Sequence, residues 1–461
     1  MNLDFPQPPA KLHLIGIGGI GMSALAQFLV SLGYQVSGSD RDLSTPAQVK
    51  LFNKLKSQGI KIFLQDGSGV QEFQPTAIIY SSAIEESNPD FAAATGIPRF
   101  HRSMAMAISV NRSGMKQIAV AGSCGKTSVT GWLSSALQAL GENPVMINGG
   151  YTGEFISESQ PGNFKAGEAI IVYEADESDG SLVNFRPDCA LLLNLGVDHY
   201  EKEKLDELFR EFLGNSQLAV VSNQLQYLVP EDKKHFSFTE NIKDKNFADY
   251  TVSKSESTPE GIHFSCGDVE IKTQQFGNHS AANALAVFST LVNIGYKPQA
   301  VAAALSSFEG VDRRFDFRGL RGNKRIYDDY AHNVQKIAAC IETAQGLADQ
   351  SVIAVFQPHG YGPLGFMRDA LKEELQKVLT SRDQFVFLPV FYAGGSTSFK
   401  PDSAEVTRDY KQAGLSVIHL SEREELADYL DQQIAPATVV ILGARDPSLA
   451  DWSSSLTEPQ K

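Results

Sequence analysis

The sequence has few cysteines, and they are scattered. Cys124, Cys189, Cys266 and Cys340 form no C-x-x-C pair. Since disulfide frameworks and zinc sites depend on regular cysteine spacings, neither is indicated. The Ser–His–Asp and Cys–His signatures of enzymes that use a covalent nucleophile are also missing. These absences fit a chemistry that needs no covalent nucleophile. Cys124 lies in a glycine-rich loop, where we expect it to have a structural role and not a catalytic one.

Long apolar runs and basic blocks are missing as well. No apolar stretch is long enough to span a bilayer, and residues 1–9 have neither the basic region nor the apolar run of a signal peptide. The formal net charge is −14, and no basic block offsets it, which disfavours nucleic acid as a partner. We expect a cytoplasmic protein that binds neither membranes nor nucleic acids.

Length and composition favour an α/β enzyme. The 461 residues are 42% hydrophobic and 20% charged and include 38 glycines, which is typical of a soluble chain of about three domains. Alternating strand and helix patterns divide the chain into three blocks, at residues 1–112, 113–313 and 314–461. In the first block they predict a parallel, doubly wound sheet.

The second block begins with a strand, a glycine loop and a helix. The strand Gln117–Ala121 leads into Gly122-Ser123-Cys124-Gly125-Lys126-Thr127-Ser128. The helix that follows has its apolar residues on one face: Val129, Trp132, Leu133, Ala136, Leu137 and Leu140. Backbone N–H groups, an ammonium and a helix N-terminus then surround one point, which suits a polyphosphate with Mg²⁺. Val120 stands where the full motif has glycine, so a plain strand–helix turn is the alternative.

The first block contains a second glycine loop. Gly16-x-Gly18-x-x-Gly21 follows the predicted strand Lys11–Ile17, and Asp40 follows the next strand, where a ribose-binding acid would lie. This spacing is typical of NAD-binding proteins, but the same loop suits any diphosphate. A tight turn that serves only helix–sheet packing is the third possibility.

Acidic residues follow the predicted strand Ala169–Tyr173. Four carboxylates lie within Glu174–Asp179, and Asp198 and His199 follow the next buried strand, Ala190–Leu195. Carboxylates at the end of a strand, downstream of a phosphate loop, suit Mg²⁺ ligation, and a neutral imidazole beside them suits the ligation of a second metal ion. A solvated acidic loop and a structural histidine are the alternatives.

With these motifs in order, the chain resembles the Mur ligase family along nearly its whole length. The segments that carry the resemblance are His13–Ser23, Ser81–Ile84, His101-Arg102, Gly122–Thr127, Asn148–Gly150, Glu174–Asp179, Asp198-His199, Gly277–Asn283, Phe308–Asp316, Asp328–Asn333 and Phe356–His359. The resemblance implies three α/β domains: a Rossmann-like UDP-binding domain, a central P-loop ATPase domain with a parallel sheet, and a C-terminal Rossmann-like domain.

The resemblance also implies a reaction. It is ATP-dependent amide formation, through an acyl phosphate, between an amino acid and the carboxylate of UDP-N-acetylmuramate in peptidoglycan synthesis. The motifs are most similar to those of the members that attach L-alanine, and a monomer or a homodimer is expected. A sister ligase that attaches another amino acid or a preformed peptide is the alternative. A nucleotide-dependent oxidoreductase and a non-catalytic UDP-sugar-binding paralogue are the alternatives of other classes.

Site residues follow from the matched positions. Those implied to bind ATP are Gly122, Ser123, Cys124, Gly125, Lys126, Thr127, Ser128, His279, Asn283, Arg314 and Asp329. Those implied to bind the UDP-sugar are Gly16, Gly18, Gly19, Ile20, Gly21, Asp40, Ser81, Ser82, His101 and Arg102. The implied Mg²⁺ ligands are Thr127, Glu174 and His199, and the implied acceptor residues are Tyr330, His332, His359 and Arg368. The residues implied to be catalytic are Lys126, Glu174, His199 and His332.

Three departures from the family pattern stand out. Ser123-Cys124 replaces Thr-His in the phosphate loop, and Val334 replaces a proline. After Pro358-His359, Gly360 and Pro363 stand where the family has two arginines for the acceptor carboxylate. Arg368 on the following helix is one candidate substitute. Another contact, from His332 or from the N–H groups near Gly360, is the second possibility, and an acceptor other than L-alanine is the third. We expect a small amino acid to be used, with weaker discrimination, because a bidentate arginine orients a carboxylate.

Overall fold

A computed structural model of the chain describes residues 5–176, 180–196, 202–241, 243, 248–258, 260–347, 351–392, 399–446 and 448–457. The described residues form three β-sheets with helices around them. They divide into two compact units. The first comprises residues 1–256, 262–275 and 279–312, and the second comprises residues 257–261, 276–278 and 313–461.

The first sheet is parallel and doubly wound, as predicted. Its strands are β1 (Lys11–Ile15), β2 (Gln35–Asp40), β3 (Lys61–Leu64), β4 (Ala77–Tyr80) and β5 (Arg99–His101), in the order β3-β2-β1-β4-β5. Its helices are α1 (Ile20–Ser31), α2 (Pro46–Ser57), α3 (Ser68–Phe73), α4 (Pro89–Ala93) and α5 (Arg102–Arg112). The strand order reverses between β1 and β4, and ligands of such sheets bind outside the carboxyl ends of the strands at this point.

The second sheet carries the phosphate loop. Its strands are β6 (Lys116–Ala121), β7 (Val145–Ile147), β8 (Phe164–Lys165), β9 (Ile170–Glu174), β10 (Cys189–Leu192), β11 (Leu218–Ser222), β12 (His235–Thr239), β13 (Tyr250–Thr258), β14 (Gly261–Cys266) and β15 (Val269–Lys272). They lie in the order β15-β14-β13-β12-β11-β10-β6-β9-β7-β8. Its α-helices are α6 (Lys126–Ala139), α7 (Lys202–Gly214), α8 (Asn278–Asn293) and α9 (Pro298–Leu305).

The predicted parallel sheet is confirmed around the phosphate loop. β6 pairs in parallel with β9 on one side and with β10 on the other, so three carboxyl ends meet at one edge. The sheet then continues into antiparallel pairs, β7 with β8 and β14 with β15, which make it mixed. Buried apolar residues of α6, including Trp132, pack against β6 and β9, as the periodicity predicts.

Helix α1 is more deeply buried than its pattern predicts. The periodicity predicts a single apolar face with Leu25, Phe28, Leu29 and Leu32, but all residues from Met22 to Leu29 are buried. The reason is that α1 also contacts β7 and β8 of the second sheet. There Asn163 Nδ2 donates to the Ile20 carbonyl over 2.8 Å, and Gln27 Nε2 donates to Asn163 Oδ1 over 3.0 Å.

The third sheet forms the core of the second unit. Its strands are β16 (Asp316–Arg321), β17 (Lys324–Asp329), β18 (Ser351–Gln357), β19 (Gln384–Phe387), β20 (Val417–His419) and β21 (Ala437–Gly443), in the order β16-β17-β21-β18-β19-β20. Its helices are α10 (Val334–Gly346), α11 (Tyr361–Val378), α12 (Ser403–Gln412), α13 (Glu425–Gln432) and α14 (Leu449–Ser455). All pairs are parallel except β16 with β17. Among the helices of the described residues, none has the length and apolar character needed to cross a membrane.

Candidate active site

The phosphate loop is shaped by its glycines. Gly122 and Gly125 have φ values of 133° and 88°, a region that side chains other than glycine rarely adopt. A Cβ on Gly125 would lie 2.8 Å from Asn283 Oδ1, which places the α8 residue predicted to contact the nucleotide against this loop. His279 lies one turn earlier on α8 and is exposed. The loop and α8 therefore meet in the first unit.

Helix α6 begins at Lys126 with an open N-terminus. Its N-cap residue is Gly125, and within the described chain no side chain caps the helix. Lys126 Nζ donates to the Gly122 carbonyl over 2.7 Å and lies 3.8 Å from Asp176 Oδ1. Uncapped N–H groups and an ammonium at one helix end suit the negative charge of phosphates, so the loop fits the β- and γ-phosphates of a nucleotide.

Asn194 braces the phosphate loop, a contact that the sequence did not predict. The Cys124 N–H donates to Asn194 Oδ1 over 2.8 Å, and Asn194 Nδ2 donates to the Cys124 carbonyl over 2.9 Å. Asn194 follows β10, which lies beside β6, and only this adjacency brings it to the loop. The backbone of Cys124 is thus held by Asn194, and its predicted structural role stays a prediction.

Glu174 lies at the end of β9, opposite Val120 of β6. Its Oε1 accepts the Gly149 N–H over 2.5 Å, and a Cβ on Gly149 would lie 2.8 Å from the same oxygen. Gly150 packs equally closely, because a Cβ there would lie 2.7 Å from the buried Thr127 Cγ2. The two glycines thus hold the carboxyl end of β7 against two of the three predicted Mg²⁺ ligands, Glu174 and Thr127.

The donor set around Glu174 fits Mg²⁺ in part. Among the described residues, no three His, Cys, Asp or Glu side chains cluster as a metal site would require. Mg²⁺ commonly takes only one or two carboxylates from the protein and its other ligands from phosphate oxygens and water. Glu174 and Asp176 meet that smaller requirement. His199, Asp198 and the acidic residues 177–179 lie outside the described residues.

The first glycine loop closes on Asp40. The Gly18 N–H donates to Asp40 Oδ2 over 2.8 Å, and a Cβ on Gly18 would lie 2.6 Å from Gln48 Oε1. Gly16 has a φ of 76°, which is why β1 ends at Ile15 rather than at the predicted Ile17. Asp40 therefore orders the loop, and its predicted contact with a ribose stays a prediction.

Four of the other predicted UDP-sugar residues lie at the ends of β4 and β5. Ser82 Oγ is 3.1 Å from His101 Nε2, and His101 Nδ1 is 2.7 Å from Ser103 Oγ. A Cβ on Gly21 would lie 2.7 Å from Arg102 Nη1. The guanidinium therefore lies against α1 because this position has no side chain.

A cavity of about 390 Å³ lies between the first glycine loop and the ends of β7 and β9. The first-domain residues that line it are Gly19, Gly21, Met22, Ser81, Arg102 and Met106. The second-domain residues are Ile147, Asn148, Gly149, Glu174 and Asp176. A ligand in this cavity would touch the predicted UDP-sugar loop and the predicted Mg²⁺ carboxylate together.

In the second unit, Asp329 connects the end of β17 with the start of β16. Its Oδ2 accepts the Phe315 N–H and its Oδ1 accepts the Ala331 N–H, both over 2.7 Å. Arg314 Cζ lies 5.8 Å from the centre of the Tyr330 ring. The two predicted nucleotide residues of this unit therefore lie near the predicted acceptor residues, and the carboxylate of Asp329 supports the backbone.

Tyr330, His332 and His359 form one cluster. The ring of His332 lies 5.7 Å from that of Tyr330 and 5.3 Å from that of His359, edge to face in both cases. Burial lowers the pKa of His332, and burial, His332 and Arg445 lower the pKa of His359 to about 4. Both imidazoles are therefore neutral at pH 7. The Nδ1 of His359 is buried and has no hydrogen-bond partner within the described chain.

Arg368, the predicted acceptor residue on α11, is paired with carboxylates of another helix. Its Nε donates to Asp409 Oδ2 over 3.2 Å, and its Nη1 lies 3.9 Å from Glu405 Oε1. Both carboxylates belong to α12. To bind the acceptor carboxylate, Arg368 would have to leave this pair, and its predicted role stays a prediction.

We expect Gly18→Val to weaken UDP-N-acetylmuramate binding at least about tenfold and to leave ATP binding unchanged. The reason is that the branched side chain would displace Gln48 and Asp40 and deform the loop. Calorimetry with each ligand tests this. Gly346→Val is the matched control, because Gly346 has no positive φ and a Cβ there meets nothing within 4 Å. Equal UDP-sugar affinity in Gly18→Val and the wild type would contradict the assignment of the loop.

Three protein-family models match the chain. Residues 11–113 match "Mur ligase family, catalytic domain", residues 120–291 match "Mur ligase middle domain", and residues 313–445 match "Mur ligase, glutamate ligase domain". Each match falls on one of the three sheets. The predicted domain boundaries near residues 113 and 314 stay predictions.

Curated relatives are similar over almost the whole length. A protein of Synechococcus sp. named UDP-N-acetylmuramate–L-alanine ligase is 33% identical, with 97% of this chain and 95% of that protein covered. A protein of Carboxydothermus hydrogenoformans with the same name is 30% identical, with 94% and 93% covered.

Solved structures share the fold. The UDP-N-acetylmuramate–alanine ligase of Thermotoga maritima has a TM-score of 0.79 at 25% identity, with 97% of both chains covered. A murein peptide ligase of Psychrobacter arcticus has a TM-score of 0.67 at 20% identity, with 97% of this chain and 98% of that chain covered. With three family models in order and relatives that match from end to end, this chain belongs to the Mur ligase family.

Proposed function

We propose that the chain is an ATP-dependent ligase that joins L-alanine to the carboxylate of UDP-N-acetylmuramate in the synthesis of peptidoglycan precursors. The observation that carries the proposal is the cavity lined by the first glycine loop and by Glu174. A ligand whose diphosphate lies on that loop would extend its carboxylate toward the phosphate loop. The names of the full-length relatives support the same substrate.

The reaction proceeds in two steps. A carboxylate oxygen of UDP-N-acetylmuramate attacks the γ-phosphorus of ATP, the bond to the β-phosphate oxygen breaks, and ADP leaves. The free amine of the acceptor then attacks the carbonyl carbon of the acyl phosphate, and inorganic phosphate leaves with the oxygen that bridged carbon and phosphorus. The nitrogen loses its proton, and an amide results.

The charges of the chain fit the first step. Two anions must approach each other, and positive charge near both lowers the barrier. Lys126 and the N-terminus of α6 hold the phosphates, and Arg102 lines the cavity on the side of the sugar. Mg²⁺, held by Glu174 and by Thr127 and His199 as the family resemblance implies, supplies further neutralisation when bound.

The histidine cluster fits the second step. His332 Nδ1 lies 2.9 Å from the Tyr330 carbonyl, so this nitrogen carries the proton and Nε2 presents its lone pair. Because the lowered pKa keeps the ring neutral, Nε2 is able to take a proton from the acceptor ammonium. We assign this role to His332, with Tyr330 and His359 beside it.

The remaining assignments follow the same proposal. Residues 1–112 form the UDP-sugar domain, 113–313 the ATP domain and 314–461 the acceptor domain. The reaction takes place in the cytoplasm, and the chain acts as a monomer or a homodimer. A sister activity with another amino acid or a preformed peptide is the second candidate, because Gly360 and Pro363 replace the arginines of the family.

A panel of acceptors tests the proposal. ADP formation is measured with UDP-N-acetylmuramate, ATP and Mg²⁺ over glycine, L-alanine, L-serine, a dipeptide and a murein tripeptide. We expect the highest kcat/KM for L-alanine, with measurable use of glycine and L-serine. Preference for the tripeptide would favour the second candidate. NADH oxidation without UDP-sugar turnover would contradict both.

A further inference from the structure

Three loops meet at one edge of the third sheet. β21 lies between β17 and β18 and pairs in parallel with both, with Asp329 opposite Leu442 and Gln357 opposite Gly443. Tyr330 and His332 follow β17, and His359 follows β18. The residues that follow β21 therefore lie between the two halves of the histidine cluster, because parallel strands end at the same edge.

Arg445 is the second residue after β21. Its φ is 65°, and the Asp446 N–H donates to the Ala444 carbonyl over 2.9 Å, so Arg445 is the central residue of a three-residue turn. Such turns with positive φ are rare and strained, and residues other than glycine in them cluster at functional sites. A side chain that serves only solubility would give no reason to keep this conformation.

Hydrogen bonds of the residues on either side of Arg445 support the turn. Asp446 is 4% exposed; its Oδ1 accepts the Ser448 N–H over 2.9 Å, and Arg423 Nη1 donates to its Oδ2 over 3.3 Å. Arg313 Nη2 donates to the Gly443 carbonyl over 2.7 Å, just before the turn. The backbone that presents Arg445 is therefore well supported on both sides.

The Arg445 side chain is exposed at the sheet edge where the cluster lies. Within the part of the chain that the structure describes, its guanidinium makes no hydrogen bond or ion pair. Its charge is close enough to His359 to contribute to the low pKa of that imidazole. An available cation thus lies beside His359, whereas the guanidinium of Arg368 is paired with Asp409.

An acceptor amino acid brings an α-carboxylate that needs a cationic partner, because an unpaired carboxylate in a partly buried site is costly. The positions that resemble the family's arginines hold Gly360 and Pro363, and neither has a charged side chain. We propose that Arg445 binds the α-carboxylate of the acceptor amino acid and so replaces the missing arginines. This inference rests on the proposed function and adds a specificity residue to it.

The experiment compares L-alanine with L-alaninamide, which lacks the negative charge. The ratio of their kcat/KM values measures the recognition of the carboxylate. We expect Arg445→Gly to lower this ratio by about 10- to 100-fold, mainly through the KM for L-alanine, because a charge-assisted bidentate contact is lost. KM values for ATP and UDP-N-acetylmuramate should stay unchanged.

Stability separates binding from a structural role. Glycine suits a φ of 65°, so Arg445→Gly should melt no lower than the wild type. Arg445→Gln keeps a side chain of similar length but not the charge, so the ratio of kcat/KM for L-alanine to that for L-alaninamide should fall in this variant as well. Arg408→Gln, at an exposed arginine of α12, is the matched control and should keep both the ratio and the melting temperature.

The outcomes are distinct. Loss of the ratio in Arg445→Gly and Arg445→Gln, with full stability, supports the inference. If the ratio is unchanged in both variants, the inference is wrong and the proposed function still stands. The same holds if the ratio falls only in Arg368→Ala. A wild type that forms no ADP with any amino acid overturns the proposed function and this inference together, before any variant is compared.

Discussion

Lys126→Ala is expected to reduce kcat at least about 1,000-fold. Lys126 lies 14% exposed at the start of α6, bonded to the Gly122 carbonyl. Removal of a positive charge that stabilises phosphoryl transfer costs several kcal/mol in an enclosed site. UDP-N-acetylmuramate binding should be unchanged, since Lys126 does not line the cavity with the first glycine loop.

Steady-state kinetics, calorimetry with the UDP-sugar and circular dichroism measure the three parts of this prediction. The matched control is Lys116→Ala, at the exposed start of the strand that ends at the phosphate loop. It removes the same charge from the opposite edge of the sheet and should keep normal kinetics. A Lys126→Ala enzyme within tenfold of the wild type would contradict the assignment of the loop.

Glu174→Gln is expected to reduce kcat about 100-fold and to raise the Mg²⁺ concentration at half-maximal rate several-fold. The carboxamide oxygen is able to keep the hydrogen bond from the Gly149 N–H, so the loop should keep its shape. The negative charge is lost, and with it the carboxylate proposed to bind Mg²⁺, an ion that takes few ligands from the protein in such sites.

Mg²⁺ titrations of the initial rate test this prediction. Glu168→Gln, at an exposed residue just before the same strand, is the matched control and should titrate as the wild type does. If Glu174→Gln also titrates as the wild type does, Glu174 is a solvated acid beside the glycines and not a ligand.

Local patterns predicted most of the fold. Apolar runs with β-branched residues, such as Gln117–Ala121 and Ala169–Tyr173, became strands close to the predicted places because these strands are buried on both faces. The helix after the phosphate loop followed its period. The errors have tertiary causes: α1 is buried on several sides because two sheets contact it, and short strands such as Val145–Ile147 carry too few residues to show a period.

The two glycine loops and the carboxylate after β9 were predictable for a similar reason. Each can be read from a short stretch of sequence, in which glycines or a carboxylate stand at the end of a buried strand and so lie at the edge of a sheet. Asn194 and Arg445 were not predicted, because only the strand order brings them to their loops. The available signal for Arg445 was a charged residue directly after the apolar run Val439–Ala444, and that pattern is common at the surface.

The most direct test of the proposed reaction follows an oxygen atom. UDP-N-acetylmuramate labelled with ¹⁸O in its carboxylate is incubated with the enzyme, ATP, Mg²⁺ and L-alanine, and the released phosphate is analysed by mass spectrometry. An acyl phosphate intermediate predicts one ¹⁸O atom in each phosphate, together with the amide product of UDP-N-acetylmuramate and L-alanine. Phosphate without ¹⁸O, or ADP formation without the amide, would contradict the account.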